Sequence, residues 1–287
     1  MNSSSSYILG HSDRETNRLI LQHQVFGPLT RRFFQTAGIG PGMKVLDIGS
    51  GAGDVALLAA EMVGLQGQVV GVDMNAEILE TARARTQAVG WNNVTFLAGA
   101  AESMKLDDDF DAVIGRWVLM HVPDPAALLQ HAITRLKTGG IVAFHENDFT
   151  YPPTTFPLTS FSEDFNTWGI PPVNDAARRW EDTGRQIPGR PEAQMGTKLY
   201  RTYLEAGLPG PQLMLEAAIG GGPDWPGYEL LEETIRSLLP MLQRFAGVDP
   251  AKVDVDTLAA RLRKAVTERN GVHMMPMMIG AWSRKAK

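Results

Sequence analysis

Carboxylates and imidazoles at five places along the chain have the types and spacing to do chemistry. Asp47 stands two residues before the first of three alternate glycines, Gly49, Gly51 and Gly53. Asp73 closes the next apolar run, about twenty residues on, where an acid can take the two hydroxyls of a ribose. His121 ends Arg116-Trp-Val-Leu-Met-His121, and His145 opens His145-Glu-Asn-Asp148. An imidazole titrates near neutrality and can take a proton from a hydroxyl acceptor. His, Glu and Asp side by side could hold a divalent cation, but the spacing fits no metal motif, so no metal site is assigned. His273, ahead of Met274, Met275, Met277 and Met278, is a further imidazole beside side chains that adapt to irregular apolar ligands.

Strands and helices must position these groups. Val45–Ile48 is a short apolar run of buried-strand type, and Asp54–Val63 is Ala/Leu-rich and favours helix. A strand, a glycine turn and a helix together present backbone N–H groups to a ligand with no side chain in the way. The dinucleotide fingerprint would need Gly or Ala where Asp54 stands, and an aspartate at a helix start repels a pyrophosphate. Two acids beside the pocket, Asp54 and Asp47, suit instead a cationic ligand with an amino group, as S-adenosylmethionine is.

The run Asp47-x-Gly49-x-Gly51-x-Gly53, with Gly71-Val-Asp73 and Phe110-Asp-Ala-Val-Ile114, resembles motif I and its sequels in class I S-adenosylmethionine-dependent methyltransferases of the small-molecule type. The resemblance covers roughly residues 35–148. It implies an α/β fold: a Rossmann-like, seven-stranded, mostly parallel sheet of order 3-2-1-4-5-7-6, with helices on both faces and helical cap insertions. It implies S-adenosyl-L-methionine as cofactor. Asp47 would lie near the cofactor's amino group, Gly49, Ser50, Gly51 and Gly53 at its methionine part, Asp73 at the ribose, and Met74 against the adenine. Ala101 and Glu102 take the adenine-edge position, where many members carry an acid at the place of Ala100. Arg116, mainly through backbone, and Trp117 border the methionine moiety. On the acceptor side His121 and His145 are the candidate bases, and Tyr7, His11, Asn147 and Met275 the candidate substrate contacts.

The alternation of strand and helix independently argues for a mostly parallel sheet. Strands are expected at 44–48, 68–73, 93–97, 110–115, 140–146, 212–219 and 272–284. Helices are expected from residue 12 to about 26, and over 29–37, 53–63, 75–89, 124–136, 192–206, 226–246 and 254–269. Lys137-Thr-Gly-Gly140 reads as a turn, and Pro276 as a bulge or a departure from the sheet. The division expected is a helical cap (1–40), a cofactor-binding core (41–148), a substrate lid (149–191), core continued (192–222), a helical insertion (223–271) and a last core strand (272–287).

The chain has 287 residues, a formal net charge of −5 and no cysteine. The absence of cysteine removes disulfides, thiolate metal sites and cysteine nucleophiles together. No basic footprint points to nucleic acid, and no apolar run spans a membrane. A cytoplasmic enzyme is expected, with a small-molecule partner and an open oligomeric state, homodimer included. The function expected is methyl transfer to a small, partly apolar acceptor in specialised metabolism, oxygen favoured over nitrogen or carbon. The rival is an S-adenosylmethionine-binding enzyme of the same fold that cyclises or isomerises without methylating. A non-enzymatic binder and an NAD-dependent oxidoreductase are the remaining readings.

Overall fold

The computed structural model describes residues 13–104, 106–107, 109–148, 154–156, 192, 194–246 and 248–286. They fall into two compact units. The larger takes in residues 26–147, 194–216 and 278–286; the smaller takes in 13–25, 148, 154–156, 192 and 217–277.

The larger unit carries the parallel sheet. Its elements are α1 (Asp13–Ala37, from residue 26 on), β1 (Lys44–Ile48), α2 (Asp54–Val63), β2 (Gln68–Asp73), α3 (Ala76–Val89), β3 (Val94–Ala98) and β4 (Phe110–Arg116). A 3-10 turn (Leu119–His121), α4 (Pro125–Thr134), β5 (Leu136–Asp148) and α5 (Met195–Glu205) follow. Parts of β7 (Gln212–Gly220) and β8 (Val272–Arg284) complete it; β6 (Thr154–Phe156) lies in the smaller unit. Strand order is β3-β2-β1-β4-β5-β8, with β7 paired to β8, and the ladders β1–β2, β1–β4, β2–β3 and β4–β5 are parallel. Val45, Val69, Ala112, Ile114, Ile141 and Ala143 line one face and are buried beneath Phe33 and Phe34 of α1 and Ala56, Leu58 and Ala59 of α2. Continuous apolar runs are what strands covered on both faces require. Local chemistry sets the helix ends: Asn75 accepts the N–H groups of Glu77 and Ile78, and Asp124 accepts that of Ala127 with Pro125 behind it.

In the smaller unit α6 (Gly227–Ala246), the four-residue α7 (Pro250–Val253), a 3-10 turn (Val255–Thr257) and α8 (Leu258–Thr267) enclose their own core of Tyr228, Leu231, Ile235, Leu258, Leu262 and Val266. Arg236 ties this unit together through Glu232 at 2.9 Å, Glu233 at 3.2 Å and Asp256. Strand β6 pairs antiparallel with the start of β8, Thr155 opposite His273.

The seven expected strands take the expected order, with β8 and β7 in the last two places; β6 is additional. Four expectations need correction. One helix, not two, runs from Asp13 to Ala37 through Pro28. Pro28 gives up its own N–H bond and crowds the carbonyl one turn back, yet the helix is regular on either side of it. Lys137–Gly140 is not a separate turn but the start of β5. Phe110 pairs with Leu136 and Ala112 with Ile141, so two steps along β4 face five along β5, and Gly139 at φ 77° absorbs the excess. Strand β8 continues through Pro276, beyond the described ladder with β6 over Val272–Met274. The single helix expected over 254–269 is split, with Asp254 in the left-handed conformation between α7 and the 3-10 turn. Of the expected lid, 149–191, only 154–156 lie among the described residues.

Tyr203 of α5 is fully buried, donates its hydroxyl to the Ala281 carbonyl at 2.7 Å and accepts the Phe144 N–H at 3.2 Å. Tyr203→Phe leaves both backbone groups without that partner and should cost about 1–3 kcal/mol of unfolding free energy, measured by urea titration; a loss below the resolution of that titration would refute the assignment.

Candidate active site

The candidate cofactor residues converge at the carboxyl ends of β1, β2, β4 and β5. After Ile48 the chain turns through Gly49, Gly51 and Gly53 at φ 69°, 49° and 85°, a left-handed series that side chains resist. The Gly49 and Ser50 N–H groups both donate to the Val72 carbonyl, at 2.8 and 3.0 Å, pinning the turn to β2. A Cβ at Gly49 would fall 2.6 Å from Val118 Cγ2, so the turn abuts the segment after β4. A Cβ at Gly51 would meet nothing within 4 Å, which leaves open space over the middle of the turn.

Asp73 is half-buried and accepts the Gly51 N–H and the Asn75 N–H, each at 2.9 Å, one on each oxygen. A carboxylate has about four acceptor positions, so two remain for a ribose diol. Met74 beside it is 70% exposed, free to lie on a base. The Gly99 N–H donates to the Asp73 carbonyl at 2.9 Å, drawing the 98–102 turn to the end of β2; there Ala101 is buried and Glu102 exposed.

Asp47 is fully buried, and neither carboxylate oxygen makes a hydrogen bond of full geometry. Burial pushes its pKa well above the ordinary carboxylate range; Arg116 and the Ala56 backbone N–H oppose this, and Asp73 and Asp54 add to it. The Ser50 hydroxyl is likewise buried and unpartnered. Orphaned polar atoms at the foot of an open glycine turn, with a second acid bearing free lone pairs, fit a ligand that is both cationic and a nucleoside.

Arg116 is buried to its tip, its side chain engaged inside the protein. Its guanidinium donates to Thr30 Oγ1 at 3.3 Å and stands 4.0 Å from Asp54. Arg85 meets Asp54 at 2.7 Å. The charge of Asp54 is therefore matched from the side, and its repulsion of a pyrophosphate is weaker than its position alone implies. Trp117 follows at φ 58°, a conformation that costs a bulky residue about 1–2 kcal/mol. It is held by its N–H to the His145 carbonyl at 3.0 Å, by its indole N–H to Met278 Sδ at 3.1 Å and by an edge-to-face contact with Phe26.

Alternation separates the two ionisable groups of β5. His145 lies against Phe33, ring centroids 4.8 Å apart, and its Nδ1 is 3.3 Å from Thr30 Oγ1. That hydroxyl gives its proton to the Phe26 carbonyl, so Nδ1 is the donor of the pair. Burial, then Arg116, lower the His145 pKa to about 3. Glu146 faces the other way. Its Oε1 accepts the N–H groups of Val118 and Leu119 at 3.0 and 2.9 Å, and its Oε2 that of Met120 at 3.4 Å. It caps the 3-10 turn that ends at His121, whose side chain is exposed. Sequence reading missed this role; the signal was an acid at the end of β5 on the face opposite His145. Burial raises the Glu146 pKa to about 7 against those three bonds.

Asn147 is buried with its Oδ1 unpartnered, and Met275 is buried on β8 in the smaller unit. Tyr7 and His11 lie outside the described residues. Among the described residues no group of three or more His, Cys, Asp or Glu is placed to hold a metal ion. No described helix is long and apolar enough to cross a membrane.

Fold and site together define a Rossmann-like protein built to bind S-adenosylmethionine. The family model of the methyltransferase domain matches residues 39–205, more than half of the chain, and the chain belongs to that family, the class I S-adenosylmethionine-dependent methyltransferases. The arsenite methyltransferase of Aquipseudomonas alcaligenes is 35% identical over 138 residues, 44% of this chain and 40% of that protein. The ubiquinone/menaquinone biosynthesis C-methyltransferase UbiE of Shewanella frigidimarina is 36% identical over 112 residues, 38% and 45% of the two. The chain spans less than half the length of the curated relatives it matches. Among solved structures, YcgJ of Bacillus subtilis has a TM-score of 0.53 at 19% identity, covering 92% of this chain and 99% of that one. The [4+2]-cyclase SpnF has a TM-score of 0.51 at 18% identity, covering 90% and 80%. These two likenesses concern the fold alone.

Asp73→Ala should weaken S-adenosylhomocysteine binding at least roughly tenfold, the scale of a lost charge-assisted hydrogen bond of about 1.5–3 kcal/mol; unchanged affinity by calorimetry would remove Asp73 from the site. Stability should also carry opposite pH slopes from the two β5 neighbours. Glu146, at about 7 folded and near 4.5 unfolded, binds more protons when folded, so its contribution is full below 4.5 and is lost as pH rises to 7 and beyond. His145, at about 3 folded against 6.5, binds more protons when unfolded, so stability falls as pH drops from 6.5 toward 3. Glu146→Gln keeps an oxygen for Val118 and Leu119 and should flatten the decline in melting temperature between pH 5 and 8; an unaltered slope would count against a buried, neutral Glu146.

Proposed function

We propose that this chain methylates a small, partly apolar molecule in the cytoplasm, at oxygen in preference to nitrogen or carbon, as a step of specialised metabolism. The observation that carries the reading is the pair of acids at the ends of β1 and β2. Asp47 is buried without a hydrogen bond of full geometry, Asp73 keeps free lone pairs, and an open glycine turn lies between them.

When bound, the cofactor supplies a methyl carbon already activated by its sulfonium. The protein's own work is alignment, exclusion of water and a proton acceptor. Asp47 and Ser50 take the amino-acid end, Asp73 the ribose, Met74 and the Ala101–Glu102 turn the base. Trp117, held in its strained conformation, forms the wall beside the methyl group. We assign the acceptor's base to His121 and not to His145. The His121 side chain is exposed on a turn clamped by Glu146, whereas the His145 ring is buried and its Nδ1 is engaged with Thr30.

The acceptor class rests on negative and positive chemistry together. A net charge of −5 disfavours a polyanion. Arsenite is soft and favours thiolates, and this chain has no cysteine. Buried Met278, beside Trp117, suits an apolar body.

The test is S-adenosylhomocysteine release across phenols, amines, carboxylic acids and arsenite, with the product's methylated atom located by NMR. Release with a phenolic acceptor and an O-methyl product is expected, and His121→Ala should lower kcat on the order of 100-fold. Turnover with arsenite, or a C-methyl product as the name of UbiE would suggest, would overturn the acceptor assignment. Conversion of a substrate without S-adenosylhomocysteine would favour the cyclase-type reading.

A further inference from the structure

Strand β7 stands at an edge of the sheet. Among the described residues it pairs with β8 alone, so the N–H and C=O groups along its other side meet no strand. A free edge can template another chain, and proteins blunt it with lysine, proline or a covering element. Gln212-Leu-Met-Leu-Glu-Ala-Ala-Ile-Gly220 holds no lysine, arginine or proline. Its one charge, Glu216, is matched by Arg32 of α1 at 2.7 Å. An apolar edge nine residues long is one that something must cover.

Helix α5 and the first five residues of β7 belong to the larger unit. Alternation sorts the side chains of the strand. Met214 packs against the core beneath α1, and Glu216 pairs with Arg32 of that helix. Leu213 and Leu215 therefore take the opposite face, and each is about half exposed. Helix α5, which leads into β7, presents Tyr200 and Leu204 one turn apart, also about half exposed. The Tyr200 hydroxyl lies against the turn into β7, where a Cβ on Gly210 would fall 2.9 Å from it. The apolar pair of the helix thus runs on to that of the strand. Arg201 and Glu205 form an ion pair of 2.6 Å beside them, with the Arg201 side chain 84% exposed.

We propose that a second copy of this chain covers this surface. The two β7 edges pair antiparallel about a two-fold axis and the two α5 helices lie side by side, Arg201 of each copy meeting Glu205 of the other. A two-fold contact needs a patch complementary to itself. A strand edge run antiparallel matches its own copy, leucine meets leucine, and a positive and a negative end one helical turn apart are answered when the helix is reversed. The area agrees. Four large side chains half exposed make a patch on the order of 400 Å², a size that marks interaction sites. Each side of a stable interface buries about 800 Å², a little over half of it apolar. The patch supplies that apolar share, and the strand backbone and the ion pairs supply the polar remainder.

Sedimentation equilibrium of the full chain at tens of micromolar should give twice the chain mass. Leu215→Lys puts a charge on both edges and should weaken self-association at least a hundredfold, with hydrogen exchange over residues 212–216 at least tenfold faster. Arg201→Glu and Glu205→Arg should each weaken it at least tenfold, because each sets like charges across the axis twice per dimer. An equimolar mixture of these two variants brings opposite charges together again and should return most of the mass to the dimer. Within each chain of that mixture the helix still carries like charges, so recovery reports contact across the axis alone. Urea midpoints close to that of wild type check folding, as expected for changes at exposed positions; should Leu215→Lys lose stability, the mixing experiment decides by itself. A monomeric wild type would overturn the proposal and leave the surface to a partner of another kind. A dimer that Leu215→Lys leaves intact, or exchange over 212–216 that is equally fast in dimer and monomer, would place the interface elsewhere. A mixture that stays monomeric would overturn the two-fold pairing of α5.

Discussion

The cofactor end of the sheet depends on burying one arginine. Arg116 terminates β4 with its side chain 2% exposed, so its charge must be met inside the protein. Asp54 at the start of α2 and the Thr30 hydroxyl of α1 meet it, and Asp47 in β1 acts on it through space without a hydrogen bond. An isolated guanidinium there would be prohibitive, whereas one ringed by carboxylates and a hydroxyl becomes a tie among four elements. Arg85 closes the ring by reaching from α3 to both Asp54 and the Ala52 carbonyl at the glycine turn. The glycine turn is thus held electrostatically from beneath while its upper side stays open.

The opposite face is held by a different device. Glu146 gathers three N–H groups from the turn after β4, and Val118 from that turn closes on Gly49. Strand alternation makes this possible, because neighbours on β5 serve opposite faces: His145 packs into α1 and Glu146 clamps the turn. Between them Trp117 is forced into a conformation that a bulky residue avoids, and three contacts hold it there. Strain kept in place by this many partners is a mark of a residue whose direction matters.

The family match ends at residue 205, before α6–α8 and His273. The smaller unit has a core of its own and an ion-pair cluster around Arg236 that keeps it ordered. The chain has no cysteine, so it offers no thiolate ligand.

The strand–glycine–helix unit, the seven main strands and the acids Asp47 and Asp73 were legible in the sequence because each is encoded locally. Left-handed turns demand glycine, buried parallel strands read as apolar runs, and strand ends follow from both. The three extra residues in β5, the eighth strand and the continuity of α1 through Pro28 were not legible, since each depends on what a neighbour pairs with. The same holds for the charges. That Asp54 is matched by Arg85 follows from a contact across 31 positions. That His145 is buried while His121 is exposed follows from the packing of α1 on the sheet, and that Glu146 clamps a turn follows from three N–H groups brought to it by β4. Residue type and spacing by themselves determined what kind of ligand the chain holds; which ionisable groups are open to it was decided only by the tertiary structure, because desolvation and charge pairing are set by residues far apart in the chain.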